Sequence, residues 1–116
     1  MDKQRDLEER CFDFARRVAS YCRVLPRSVH NVEYSKQAVR SSASIGANFI
    51  EANESLSRGV CALRLKICRK EAKESIYWLR LMVELNPEEH KIDGHALVRE
   101  ATELKDAFNS ILERFK

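Results

Sequence analysis

Apolar residues recur at three- and four-residue spacing along almost the whole chain, a rhythm that only helices satisfy. It is clearest near the C-terminus. There Leu97, Ala101, Leu104, Phe108, Ile111 and Phe115 alternate by four and three, the pattern of a heptad seam. The period-two alternation of a half-buried strand is almost absent. The chain has only 3 Gly and 2 Pro, and both prolines fall where an apolar stripe stops.

Those breaks divide the 116 residues into four predicted helices. The first covers about 6–25, with Leu7, Cys11, Phe14, Ala15, Val18, Cys22 and Leu25 on one face. Pro26 disfavours helix at Leu25 and ends it. The second covers about 33–53, with Asn31 as an N-cap and Ala38, Ser42, Ile45 and Phe49 facing inward. Its run Ser41-Ser42-Ala43-Ser44-Ile45-Gly46-Ala47 is rich in small residues, which let a neighbouring backbone come close. Gly46 costs ~1 kcal/mol against Ala in mid-helix, so packing should compensate. The third covers about 57–86 and stops before Pro87. The fourth covers about 93–115, with Asp93 as an N-cap. Short connections between long helices imply antiparallel neighbours. The expected fold is therefore all-α, a single-domain antiparallel up-down-up-down four-helix bundle.

The third helix carries two apolar stripes. Cys61, Leu65, Cys68, Ala72, Ile76, Leu79 and Val83 form one; Val60, Leu63, Ile67, Trp78, Leu81 and Leu85 form the other. They lie roughly 150° apart at ~100° per residue. One stripe suffices to face a core. The second should meet another surface, either the fourth helix or another subunit.

Several function classes find no support. No apolar run approaches the ~20 residues of a membrane span. The charged start Met1-Asp2-Lys3-Gln4-Arg5-Asp6 has no apolar segment behind it, so no signal peptide is expected and the cytoplasm is the default location. Cys11, Cys22, Cys61 and Cys68 lack C-x-x-C and zinc-ligand spacing, and are expected to be buried free thiols. His30, His90 and His95 fall in or near connections and read as solvated imidazoles. Each lacks a glutamate three residues before it, so the Glu-x-x-His pairs of a di-iron bundle are missing. With no nucleophile motif or phosphate-cradling glycine loop, no enzyme activity, metal or cofactor is expected. Glu51, Glu71 and Glu74 have many basic neighbours and no histidine, which favours structural ion pairing over acid–base work.

The feature that points to a partner is basic. Lys66, Arg69, Lys70, Lys73 and Arg80 fall within an arc of ~100° on the third helix, and Tyr77 lies in the same arc. Net charge is only +3, but residues 1–87 carry 16 basic and 11 acidic groups, so the excess sits there. Cations for phosphates and a ring for stacking make a nucleic-acid footprint. The competing reading is a solvated face that keeps the chain in solution. Repetition around an oligomer would turn a weak local patch into a strong collective field.

Two segments carry a family resemblance. Gln37-x-x-Arg40-Ser41-Ser42-x-Ser44-Ile45-x-Ala47-Asn48-x-Ile50-Glu51-Ala52 is one. Lys66-Ile67-Cys68-Arg69-Lys70-Glu71-Ala72-Lys73-Glu74-Ser75-x-Tyr77-Trp78-Leu79-x-Leu81 is the other. They resemble the second and third helices of a bacterial four-helix-bundle family. That family is named for proteins encoded in intervening sequences of large-subunit ribosomal RNA genes. The chain is also similar to the accessory variability determinant of diversity-generating retroelements. Asp6-Leu7 and the Leu25-Pro26 break fit the family's first helix; Val60-Cys61 departs from its usual acidic-aromatic pair. The resemblance implies a homopentameric, barrel-like ring and, for the retroelement members, binding of nucleic acid and partnership with a reverse transcriptase. The expected function is thus an oligomeric, non-enzymatic nucleic-acid-binding module, with RNA the favoured ligand and DNA the other. Lys66, Arg69, Lys70, Lys73, Tyr77 and Arg80 would form the contact surface, and Arg16, Arg17 and Arg23 a secondary one. The alternative is a scaffold for a protein such as a reverse transcriptase. Ser44 with Asn48, and Arg40 with Glu51 or Glu74, are expected to fix the fold.

Overall fold

The computed structural model describes residues 3–116. Four helices fill it: α1 (Lys3–Val24), α2 (Val29–Asn53), α3 (Arg58–Leu85) and α4 (Lys91–Glu113). A single 3-10 turn, Glu88–His90, leads into α4. They pack as an antiparallel bundle 45 × 25 × 20 Å across. α2 and α3, then α3 and α4, share the broadest contacts; α1 leans mainly on α2 and touches α4 thinly. α1 and α3 thus stand diagonally across the core.

Each helix buries the face that its periodicity marks. Phe14, Phe49 and Phe108 are among the largest fully buried side chains. Phe49 and Phe108 meet at 5.7 Å with their rings tilted by 48°. Burying such a side chain contributes about 1.5–3 kcal/mol. Leu65, Cys68, Ala72, Leu79 and Val83 of the first α3 stripe are buried, whereas Cys61 and Ile76 are only partly covered.

The small residues of α2 do bring α3 close. Ser41 Oγ and Ser75 Oγ lie 2.8 Å apart in the core. The Cys68 thiol donates to the α2 carbonyl of Ile45 at 3.3 Å. Gly46 faces α1 instead: a Cβ there would sit 3.3 Å from Cys11 Cβ, so its missing methyl allows the close approach that offsets its helix cost.

Several boundaries differ from the sequence expectation. α1 begins at Lys3, three residues early. Ser28, not Asn31, caps α2; its Oγ accepts from Asn31 N at 3.1 Å. Helix therefore takes in Val29 and His30, so His30 belongs to the first turn of α2 and not to a loop. Asn31 is buried instead, for a longer-range reason. Its Nδ2 donates to Asn86 Oδ1 at 2.7 Å and to Pro26 O at 2.7 Å. Asn86 Nδ2 returns a bond to Asn31 Oδ1 at 2.9 Å and reaches Met82 O at 2.8 Å. The two amides clasp one end of the bundle. α4 begins two residues before Asp93, and the backbone of Glu88–His90 makes the entry with no side-chain cap.

Gly94, unremarkable in sequence, is buried where α4 crosses α1 and α3. A Cβ there would lie 2.6 Å from the Tyr21 hydroxyl and collide with Val83. On the neighbouring α1–α4 seam, Arg10 forks onto Glu100 at 2.7 and 3.1 Å. That pairing holds its guanidinium above its ordinary pKa.

Candidate nucleic-acid interface

α3 presents Lys66, Lys70 and Lys73 on one exposed face, at i, i+4 and i+7. Among the described residues none of the three has a carboxylate within ion-pair distance, nor has Arg80. Arg69 lies at the α4 edge of the face and donates to Asn109 Oδ1 at 2.8 Å. The face is dished. Lys66, Arg69, Lys70, Lys73, Glu74, Tyr77 and Trp78 line a groove of about 420 Å³. Arg80 is exposed one turn beyond it.

An aromatic series closes one end of this groove. Tyr77 is 57% exposed. Its ring meets Trp78 edge-on at 5.1 Å and 73°. Trp78 in turn stacks on Tyr34 of α2 at 5.9 Å and 29°. Trp78 belongs to the second apolar stripe, so this part of the stripe meets α2 rather than the fourth helix. Val60, Leu63 and Leu85 of the same stripe remain about half exposed.

Behind the groove, a polar seam joins α2 and α3. Glu71 is 8% exposed at its side chain and lies 3.8 Å from Arg40 Nη1. Its Oε2 accepts from Ser44 Oγ at 3.2 Å. Its Oε1 finds no partner among the described residues. Arg40 Nη2 also reaches Glu74 Oε1 at 3.4 Å. Asn48 Nδ2 donates to Ser44 O at 2.9 Å and Oγ at 3.0 Å, and Arg64 Nη1 donates to Asn48 Oδ1 at 3.0 Å. Glu74 and Glu71, not Glu51, are therefore the ion-pair partners of Arg40. These groups hold two helices together, and one carboxylate of the seam, Glu74, also reaches the groove wall.

The arginines of α1 do not join the α3 face. Arg16 pairs with Asp13 and, with Arg17, lines a cleft against α4 beside Tyr21 and Asp93. Arg23 is exposed near Pro26 at the clasped end. Within one chain the nine basic and aromatic candidates thus form separate groups, on diagonally placed helices.

All four cysteines are free; Cys11 and Cys68 are buried, Cys22 and Cys61 partly so. Burial pushes the Cys11 and Cys68 thiols up to about 12 and raises Cys22 as well. Thiols held in this way are poor nucleophiles. Among the described residues no group of three or more Cys, His, Asp or Glu is placed to hold a metal. No helix among them is long and apolar enough to cross a membrane.

A different surface was not singled out by sequence reasoning. α1 and α2 leave between them an apolar groove of about 680 Å³, lined chiefly by Phe12, Ala15, Ala19, Val39, Ala43 and Ile50. Phe12 and Ile50 are exposed along it. The signal was present, since Phe12 lies off the α1 core stripe, and a phenylalanine there has no partner within the bundle.

Among solved structures, the chain is similar to a protein of unknown function from the S23 ribosomal protein family of Bacteroides thetaiotaomicron VPI-5482. The two are 31% identical, the match covers 91% of this chain and 97% of that one, and the TM-score is 0.77. No protein of curated function matches. The family model for the 23S rRNA-intervening sequence protein matches residues 3–110. With the fold and both helical signatures in agreement, the chain belongs to the 23S rRNA-intervening sequence protein family.

Proposed function

We propose that this chain is a non-enzymatic nucleic-acid-binding module that acts as an oligomer, with RNA the favoured ligand and the α3 groove as its contact surface. The observation that carries this reading is the row Lys66, Lys70 and Lys73. It combines exposure, helical alignment and the lack, among the described residues, of a carboxylate within ion-pair distance with an aromatic ring at one end. A face meant only for solubility gains nothing from leaving like charges adjacent, because opposite charges at i, i+4 stabilise a helix and like charges destabilise it. Phosphates supply the missing counter-charge.

Self-association completes the reading. The chain exposes two unlike apolar faces, the α1–α2 groove around Phe12 and the Val60–Leu63 part of α3. Glu8, Glu9 and Arg16 line the first, Arg16 being paired with Asp13, and Arg58 and Arg64 flank the second. Unlike faces that complement each other give head-to-tail contacts, and these close into a ring when the rotation permits. A ring of five would repeat the groove around its wall. The scaffold alternative, in which the partner is a protein such as a reverse transcriptase, draws on the same apolar groove and leaves the lysine row unexplained.

The test is fluorescence anisotropy with a labelled structured RNA from 50 to 300 mM salt. It compares the native chain with one in which Lys66, Arg69, Lys70 and Lys73 are changed to Gln. The expected result is a steep salt dependence whose log–log slope falls by about three in the variant. Light scattering on the same samples reads assembly. Loss of binding with assembly intact assigns the groove. No binding by the native chain near physiological salt rejects the nucleic-acid reading in favour of the scaffold.

A further inference from the structure

We infer that the α3 groove takes an unpaired nucleotide, seating its base on Tyr77 with an N–H edge turned to Glu74, and selects guanine over uracil. This rests on the nucleic-acid reading above and deepens it.

Three features of the groove separate a backbone track from a base seat. The first is its charge order. Lys66, Lys70 and Lys73 form the track, and the last of them lies ~10 Å along the axis from the first. At that end stands Glu74, a carboxylate on the groove wall. A phosphate would be repelled there, so the sugar–phosphate chain follows the lysines and the uncharged part of the nucleotide takes the Glu74 end.

The second is the ring at that end. Tyr77 is exposed, yet it is not a loose side chain. Its ring and that of Trp78 meet edge to face, and Trp78 is itself stacked on Tyr34. A ring already held in place loses little freedom when a base stacks on it. Base–aromatic stacking of this kind requires a base that has left its own helix, because a paired base has both faces covered.

The third is what Glu74 offers. Among the described residues only Arg40, at 3.4 Å, ties it down, so the carboxylate keeps acceptor capacity for a ligand. A carboxylate accepts and never donates. Guanine presents its ring N–H and amino group side by side on one edge and fits such a pair of oxygens. Uracil sets its single N–H between two carbonyls, which the carboxylate repels.

The experiment uses labelled ten-residue strands at fixed salt: all-uridine RNA, the same strand with one central guanosine, their DNA counterparts, and a blunt duplex. The proteins are the native chain, Tyr77→Phe, Tyr77→Leu, Glu74→Gln and Lys70→Gln, each checked by circular dichroism. The guanosine strand is expected to bind at least fivefold tighter than all-uridine RNA. Tyr77→Leu should weaken single strands about tenfold, leave the duplex unchanged, and be matched by no comparable loss in Tyr77→Phe. Glu74→Gln should abolish the guanosine preference whatever it does to overall affinity. The RNA and DNA arms tell which sugar the seat accepts. If Lys70→Gln weakens every ligand while Tyr77→Leu and Glu74→Gln leave all ratios as they were, the groove is a phosphate track only. The base seat is then rejected while the nucleic-acid function stands. If the native chain binds none of the strands, both readings fail.

Discussion

α2 turns small residues towards both of its neighbours, yet only one of the two seams is filled. Towards α3 they carry hydroxyls: Ser41 meets Ser75, and Ser44 meets Glu71. Towards α1, Gly46 packs closely on Cys11, while Ala43 and Ala47 border the open groove beneath Phe12. Small side chains permit a close approach without dictating one. What decides is the facing helix. α3 answers with short or hydrogen-bonding groups that reach across, whereas α1 answers with alanines and a phenylalanine that stays outside. The polar seam closes within one chain apart from Glu71 Oε1, which has no partner among the described residues; the apolar one has room for another surface.

The sharpest way to break this comparison is one substitution made on each side. Ser41→Leu must force a branched side chain into a fully buried site and strip Ser75 of its partner. It should cost about 3 kcal/mol or more. Ala43→Leu places the same new side chain in open space and should stay within about 0.5 kcal/mol. Urea denaturation measures both, and equal losses would mean that the α1–α2 side is packed after all. A smaller effect, about 2 kcal/mol, is expected from Asn31→Ala, which orphans the Asn86 amide oxygen and the Pro26 carbonyl. In a thermal-melt cycle the Asn31→Ala, Asn86→Ala double variant should cost little more than either single one, because the two amides act as a unit.

The smallest effect sharpens the comparison through Cys11, which lines the α1–α2 groove, and Cys68, which donates into the α2–α3 seam. Burial raises both thiols in the folded chain, so the native state holds its thiol protons more tightly than the unfolded one. Their contribution is complete below the ordinary thiol pKa and is lost as pH rises from about 9 towards 12. Between pH 7 and 9.5 each thiol should account for a loss on the order of 1 kcal/mol. Urea midpoints at the two pH values check this. Cys11→Ala and Cys68→Ala should each flatten the dependence, and a flat profile in the native chain would mean that water reaches both thiols.

Helix number, order and inward faces were legible in the sequence because periodicity is a local signal and both prolines sit at its breaks. The caps show where local signals stop. Ser28 and Asn31 are equally plausible N-caps by type. Which of them serves is settled by Asn86, 55 residues away, because a side chain clasped to Asn86 cannot also cap its own helix. Gly94 was silent for the same reason, since Tyr21 and Val83 define its site from two other helices. The lysine row of the candidate interface could be read from spacing alone. The bracing of Tyr77 by Trp78 and Tyr34 could not, because it depends on how α2 and α3 are set against each other. Nor could the separation of the α1 arginines from the α3 face, which follows from their diagonal placement.

The Asn31–Asn86 clasp also gives the bundle a mechanical polarity. It binds the entry of α2 to the exit of α3 at one end, and Lys91 Nζ adds a strap to Val83 O at 2.6 Å. The start of α1 and the finish of α4 lie at the other end, beside the turn that carries fully exposed Leu56. A pull between those two points would load the thin α1–α4 seam first and part the helices in a peeling mode, not by sliding them past one another. The clasp would feel the tension last.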